Sequence, residues 1–212
     1  MENKIWHKDT IIEETISNLE KNNMNGFQIK SIAKLHSKIK ELVNSGSTVS
    51  VGGSMTLFET GVIDLLRKED YTFLDRYKEG LTPGDIKQVY RESFSADAYF
   101  TSTNALTRKG ELYNVDGRGN RVAAMAYGPD QVIVICGYNK IVDDINAATM
   151  RNRNIAAPIN AKRLNRKTPC AASGYCMDCS SPDRICAEYF VIKKQMVKGR
   201  ITVLILDEDY GY

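Results

Sequence analysis

Cys170, Cys176, Cys179 and Cys186 stand in the spacing C-x5-C-x2-C-x6-C, among Pro169, Gly174, Ser180, Ser181 and Pro182. A segment so broken by glycine and proline has too little apolar content to order itself by burial. Four thiols held there are a donor set for a metal, and metal binding would supply the missing order. Four thiolates suit a tetrahedral zinc and an iron–sulfur cluster equally well. Free or redox-paired thiols are the alternative. Cys136, in the run VIVICG, has the apolar neighbours of a packing residue and is no part of this set.

A second chemical signal is the stretch TVSVGGSMTLFETGVID, from Thr48 to Asp64. It predicts a short buried strand, a turn at Gly52 and Gly53, and a helix whose start carries Ser54, Thr56 and Glu59. Glycines allow a ligand close to the backbone, and the first amides of a helix lack partners within it, so this corner suits an anion. The competing reading is a plain βα turn with Thr56-x-x-Glu59 as a capping box. Glu59 is the first-choice catalytic carboxylate and Asp116 the second, although Asp116-Gly117 is also ordinary turn chemistry. Thr103, Asn104, Gly117, Gly119 and Asn120 could orient a polar ligand, or serve as turn and cap residues. Lys140, after CGYN, could reach a cleft at a strand end. The two histidines, His7 and His36, lie in polar helical settings that predict solvated rings, which leaves acid–base work to other groups.

The elements that must position these residues follow from periodicity. Helices are predicted over Ile5–Lys21, from Ile32 to Val43, from the glycine corner to about Leu66, from Pro83 to Glu92, over Asn120–Tyr127 and over Val142–Met150. Strands are predicted at Phe27–Ile32, Thr48–Val51, Tyr71–Leu74, Ala98–Thr101 and Gln131–Cys136, with Thr103–Gly110 a turn and Glu111–Val115 a short hairpin arm. Alternating strands and helices imply an α/β fold with a mainly parallel central sheet flanked by helices. In such sheets ligands sit at the carboxyl ends of strands, where the glycine corner, Thr101–Asn104 and Gly137–Lys140 all fall.

The totals set bounds. With 212 residues, one domain over 1–212 is the default, and the cysteine-rich stretch 168–187 forms a small lobe within it. The 29 basic and 26 acidic residues leave a net charge of +3, without the basic stripe and stacking aromatics of a nucleic-acid surface; Trp6 and the tyrosines read as packing. No run is long enough to span a membrane and no signal peptide opens the chain, so a cytoplasmic protein is expected, with its cysteines reduced. From Arg151 to Lys167 basic residues (Arg151, Arg153, Lys162, Arg163, Arg166, Lys167) occur with no acidic one. That run is either a solvated face or a positive field for thiolates and anions.

GGSMTLFETG, TSTNALTRKGELYNVDGRGNRVAA and NIAAPINAKRLNRKTPCAASGYCMDCSSPDRIC, in this order, resemble the LUD-domain family of lactate utilization proteins over nearly the whole chain. The resemblance implies a NagB/RpiA/CoA-transferase-like fold, and some members of the family belong to an iron–sulfur system that oxidises L-lactate to pyruvate. It also tips the choice of metal toward [4Fe–4S] over zinc. The middle motif is similar to the ligand-site segment of sugar-phosphate isomerases such as methylthioribose-phosphate isomerase, with Thr103, Asn104, Gly110, Asn114, Gly117 and Gly119 matching in spacing. Asn104 stands where those enzymes carry their acid, and an amide cannot take up a proton in its place.

Three classes of function are carried forward. The first is an oxidoreductase or oxidoreductase subunit acting on a small hydroxy acid, with a cysteine-bound iron–sulfur cluster and protein partners for electron transfer. The second is an enzyme on a phosphorylated or CoA-like molecule with structural zinc. The third is a non-catalytic binding or assembly protein. An anionic small molecule is the expected ligand, nucleic acid and membrane are not expected partners, and homo-oligomerisation is left open. No G-x-G-x-x-G follows a strand, so a bound nicotinamide or flavin is not indicated.

Overall fold

The structure is a computed structural model that describes residues 2–212. In chain order the elements are α1 (Glu2–Lys21), β1 (Asn25–Ile29), α2 (Ile32–Leu42), β2 (Thr48–Val51), α3 (Met55–Glu59), α4 (Val62–Lys68), β3 (Thr72–Leu74), α5 (Pro83–Glu92), β4 (Ala98–Thr101), β5 (Ala105–Thr107), β6 (Leu112–Asp116), α6 (Asn120–Tyr127), β7 (Gln131–Gly137), β8 (Ile141–Val142), α7 (Ile145–Arg151), α8 (Ala157–Arg163), α9 (Pro169–Ser173), β9 (Glu188–Ile192) and β10 (Ile201–Leu206).

Six strands form one sheet in the order β1-β10-β7-β4-β2-β3, and every neighbouring pair in it is parallel. The middle strands are apolar throughout because both their faces are covered. VIVIC of β7 and ITVLIL of β10 are buried at every position. One face packs Leu35, Ile39, Leu57, Ile63 and Leu66 over Phe100 and Ile133. The other packs Ile12 and Leu19 of α1 with Met125 of α6 over Val132, Val134 and Val203. Each such side chain contributes about 1.5–3 kcal/mol relative to exposure, enough to fix the strand ends on which the loops stand.

A second sheet, order β8-β5-β6-β9, was not foreseen from the sequence. The segment read as a turn, Thr103–Gly110, contains β5, which pairs antiparallel with β6 and parallel with β8. Strand β9 extends this sheet antiparallel to β6 and brings the chain back from the cysteine segment. That segment holds one short helix, α9, and otherwise turns.

Four local expectations need correction. Trp6, read as a packing residue, is 67% exposed on α1. The helix after the glycine corner does not run unbroken to Leu66. It stops at Thr60 and restarts after Gly61, whose φ of +67° suits glycine. The helix expected from Val142 begins at Ile145, because Asp144 caps it by accepting from the Ala147 amide at 2.9 Å. His36 is half-buried rather than solvated, with Nε2 2.8 Å from the Thr60 carbonyl oxygen. By contrast, the predicted cap of α5 is present in full, since Thr82 and Asp85 bond each other's backbone amides. Among the described residues no helix is long and apolar enough to cross a membrane.

Candidate functional site

Strands β2, β4 and β7 are neighbours in the sheet, and their carboxyl ends release three loops toward one another: Gly52–Ser54, Ser102–Asn104 and Tyr138–Lys140. Lys140 lies at the bottom of the space between them, 3% exposed. Its Nζ donates to Thr56 Oγ1 at 2.9 Å and to Ser102 Oγ at 3.0 Å, so both its partners are neutral hydroxyls. Burial drives its pKa down from 10.5 to about 7; Cys136 pulls the other way, while Arg151 and Arg121 add to the fall. A lysine so placed is a receptor for an anion and, near neutral pH, a group able to gain or lose a proton.

Within the glycine corner the two glycines have different tasks. A side chain on Gly52 would put its Cβ 2.9 Å from Thr101 Oγ1 and 2.9 Å from the Tyr99 hydroxyl, so Gly52 is required by close packing behind the site. Gly53 faces the cleft itself. Ser54, not Thr56, is the cap of α3, accepting from the Leu57 amide at 3.4 Å. The proposed capping box is therefore absent, and Thr56 is free to meet Lys140. Glu59 is exposed at the far end of α3, where its carboxylate accepts from the Gly211 amide at 2.6 Å. It does not line the cleft with the other candidates.

The middle motif is organised by a residue that the sequence reading passed over, Arg121. Buried at the start of α6, it donates to Ser102 O (3.0 Å), Asn114 Oδ1 (2.8 Å), Asn104 Oδ1 (2.9 Å) and Val115 O (3.0 Å). Asn104 Oδ1 also accepts from the Val115 amide at 3.0 Å, and its Nδ2 reaches Asn152 Oδ1 at 3.4 Å. Both ends of the Asn104 amide are thus committed within the protein. Asp116 Oδ2 accepts from the amides of Arg121 (3.0 Å) and Val122 (3.3 Å), and Oδ1 lies 3.8 Å from Arg121 Nε. Its carboxylate borders the cleft while holding the amino end of α6. Thr103 Oγ1 donates to the carbonyls of Ala105 and Tyr113 and serves the second sheet. Gly117 packs against the Ile185 backbone, and Gly119, at φ +70°, leaves room for the Glu188 carboxylate. Asn120 lines the cleft.

Half of the basic run turns inward. The helix from Ile145 to Arg163 widens into one π-helical stretch at Asn152–Ala156. Arg151, before it, is buried and donates to the carbonyls of Asn139 (2.9 Å) and Asn104 (2.7 Å). Asn160 and Arg163, after it, face the cleft, with Tyr212 bonded to both.

The cleft has two joined arms. The inner, of about 100 Å³, is lined by Gly53, Ser54, Thr56, Ser102, Asn104 and Lys140 among others. Water occupies roughly 30 Å³ per molecule, so the inner arm has room for a few waters or a three-carbon acid. The outer, of about 450 Å³, opens beyond Asp116 and Arg121 and is walled on one side by Pro182–Ile185. The cysteine segment therefore forms part of the site, tied to it where the Ala187 amide donates to the Asp116 carbonyl at 3.0 Å.

All five cysteines are free thiols. Cys136 is fully buried, which pushes its pKa up to about 12. Cys170, Cys176, Cys179 and Cys186 are half-buried. The Thr168 hydroxyl lies 3.3 Å from Cys170 Sγ, and the Asp178 amide donates to Cys176 Sγ at 3.4 Å. Arg184 ties the loop by donating to the carbonyls of Cys179 (2.7 Å) and Cys186 (2.9 Å). Burial raises the Cys186 thiol, Arg184 lowers it, and Cys176 and Cys170 raise it again. Among the described residues, however, no three His, Cys, Asp or Glu side chains converge as a bound metal would require. The four cysteines fit a metal by donor type; the loop would have to draw in to complete the geometry.

A profile of the LUD domain matches residues 12–206. No curated protein matches the sequence. Among solved structures, a DUF162 family protein from Deinococcus radiodurans superposes with a TM-score of 0.50 at 14% identity, over 94% of this chain and 97% of that one. That likeness shows a shared fold. eIF2B delta from Chaetomium thermophilum matches over 65% of this chain and 53% of its own, with a TM-score of 0.37 and 16% identity.

Proposed function

The chain belongs to the LUD domain family, and from that premise we propose that it binds a small hydroxy acid of the lactate type in the inner arm and acts as an oxidoreductase or oxidoreductase subunit. The observation that carries this is Lys140: a buried lysine with only hydroxyl partners, at the bottom of a space sized for a three-carbon acid. Its ammonium would take the carboxylate, with Thr56 and Ser102 steering it. Bringing an anion to this position also returns the proton that burial discourages.

The metal belongs to the same proposal. Cys170, Cys176, Cys179 and Cys186 would hold a [4Fe–4S] cluster, which when bound supplies one-electron transfer toward a protein partner. Arg184 fixes the loop backbone, and the Ala187–Asp116 hydrogen bond keeps the cysteine segment beside the cleft. A second reading, an enzyme on a phosphorylated or CoA-like molecule with zinc on the same thiols, draws on the outer arm, where six arginines face two aspartates.

Calorimetric titration with L-lactate at pH 8, in buffers of different ionisation enthalpy, tests the substrate. Binding with uptake of close to one proton is expected, and Lys140→Met should abolish it while the variant keeps its fold by circular dichroism. Absence of binding by lactate, glycolate and pyruvate alike would defeat the assignment. Protein purified without oxygen should be brown and contain iron and acid-labile sulfide; a colourless protein with one zinc supports the second reading instead.

A further inference from the structure

The outer arm carries more positive charge than a small acid can use. Arg76, Arg118, Arg121, Arg163, Arg166 and Arg184 line it, against Asp116 and Asp183. Arg121 is spent on internal carbonyls and Arg184 pairs with Asp178 at 2.9 Å. The remaining four are poorly matched. Arg76 faces the rings of Tyr77 and Tyr90, at 5.1 and 4.7 Å from their centroids, a contact that holds the guanidinium flat without neutralising it. Arg163 meets only Asn160 and the Tyr212 hydroxyl. Arg166 comes no nearer than 4.0 Å to Asp183, and its Nε is buried with no hydrogen-bond partner. Arg118 is exposed at the rim, in the turn that leads into α6.

We propose that the outer arm is a binding site for a diphosphate group, as carried by a nucleoside diphosphate or a related coenzyme. Guanidinium groups match phosphate oxygens in paired hydrogen bonds, and a diphosphate presents oxygens and charge enough for several at once. One carboxylate would leave most of these arginines unmatched. A volume of about 450 Å³ lies in the size range of small-molecule sites and gives room for more than the phosphates alone. The site shares a wall with the inner arm but depends on none of Lys140, Thr56 or Ser102, so it stands or falls apart from the hydroxy-acid assignment.

Titration calorimetry of the full chain with inorganic phosphate, inorganic pyrophosphate and ADP tests the site. Pyrophosphate and ADP should bind at least about tenfold tighter than phosphate, about 1.4 kcal/mol. Arg118→Ala and Arg163→Ala each replace an exposed side chain, should fold normally, and should each weaken pyrophosphate about tenfold or more, while Lys140→Met should leave it within a factor of about three. Loss of lactate binding in Lys140→Met with pyrophosphate binding intact would separate the two arms. The proposal is overturned if pyrophosphate binds no tighter than phosphate, or if neither arginine variant matters. It is also overturned if a short single-stranded RNA outcompetes ADP, which would make the arginines a nucleic-acid surface.

Discussion

At the scale of single residues, Lys140 and Cys136 show how one property, burial, sets two opposite chemistries. Lys140 has its pKa lowered to about 7 from 10.5, so below pH 7 both folded and unfolded chains hold the proton and the full cost of burying it stands. Between pH 7 and 10.5 the unfolded chain keeps a proton that the folded chain sheds, and stability therefore rises with pH across that window. Lys140→Met removes the cost. The variant should be more stable than the parent at pH 6.5, by up to about 5 kcal/mol for a fall from 10.5 to about 7, with the gap closing toward pH 10.5, as read from urea midpoints at several pH values. Cys136 is kept as an unreactive thiol by the same burial. Metal-free native protein should accordingly expose the four half-buried thiols to alkylation and withhold Cys136 until denaturant is added. Rapid labelling of all five without denaturant would contradict the packing described for β7.

At the scale of elements, most strands and helices of the main sheet were legible because each follows a periodic or continuous apolar pattern, as in Gln131–Gly137 and Asn120–Tyr127, whereas the strand expected over Phe27–Ile32 lies at Asn25–Ile29 and Ile32 opens α2. The second sheet was not legible, because β5 and β8 are too short to carry a pattern and gain their partners only from the tertiary fold. Much the same is true of the site. The glycine corner and the thiols announce themselves by type and spacing, whereas Arg121 is one of two arginines in NVDGRGNRV, and only the packing of β4, β6 and α6 makes it a hub. Glu59 was read at the start of a longer helix, but α3 is five residues long and Glu59 is its last, which turns it away from the cleft. One turn between elements makes a sharp test. Gly110, at φ +74°, sits so close to α1 that a Cβ there would lie 2.6 Å from the Leu19 amide nitrogen. The same turn is held by Asn18 and Asn22, which donate to the carbonyls of Arg108, Lys109 and Gly110. Gly110→Ala should cost about 2 kcal/mol or more, through both backbone strain and the displacement of α1, measured by chemical denaturation.

At the scale of the whole molecule, the cleft is built jointly by the end of the parallel sheet, the turn before α6 and the cysteine segment. A metal would thus change the shape of the cleft as well as order a loop. Serine at any one of Cys170, Cys176, Cys179 or Cys186 should lower metal content and open residues 168–187 to protease, and Cys136→Ser should leave metal unchanged. Full metal content after two of the four replacements would rule the shared centre out. The order of strands has a consequence for biosynthesis as well. Strand β10, formed by residues 201–206, lies between β1 and β7 and is the sole neighbour of β1 in the sheet. As a nascent chain leaves the ribosome, β2, β3, β4 and β7 can pair while β1 waits for a partner nearly the whole chain away. Until residues 201–206 emerge, β1 has no strand to pair with and α1 lacks the β10 part of its packing surface, so for that interval β1 is the strand most open to chaperones and proteases.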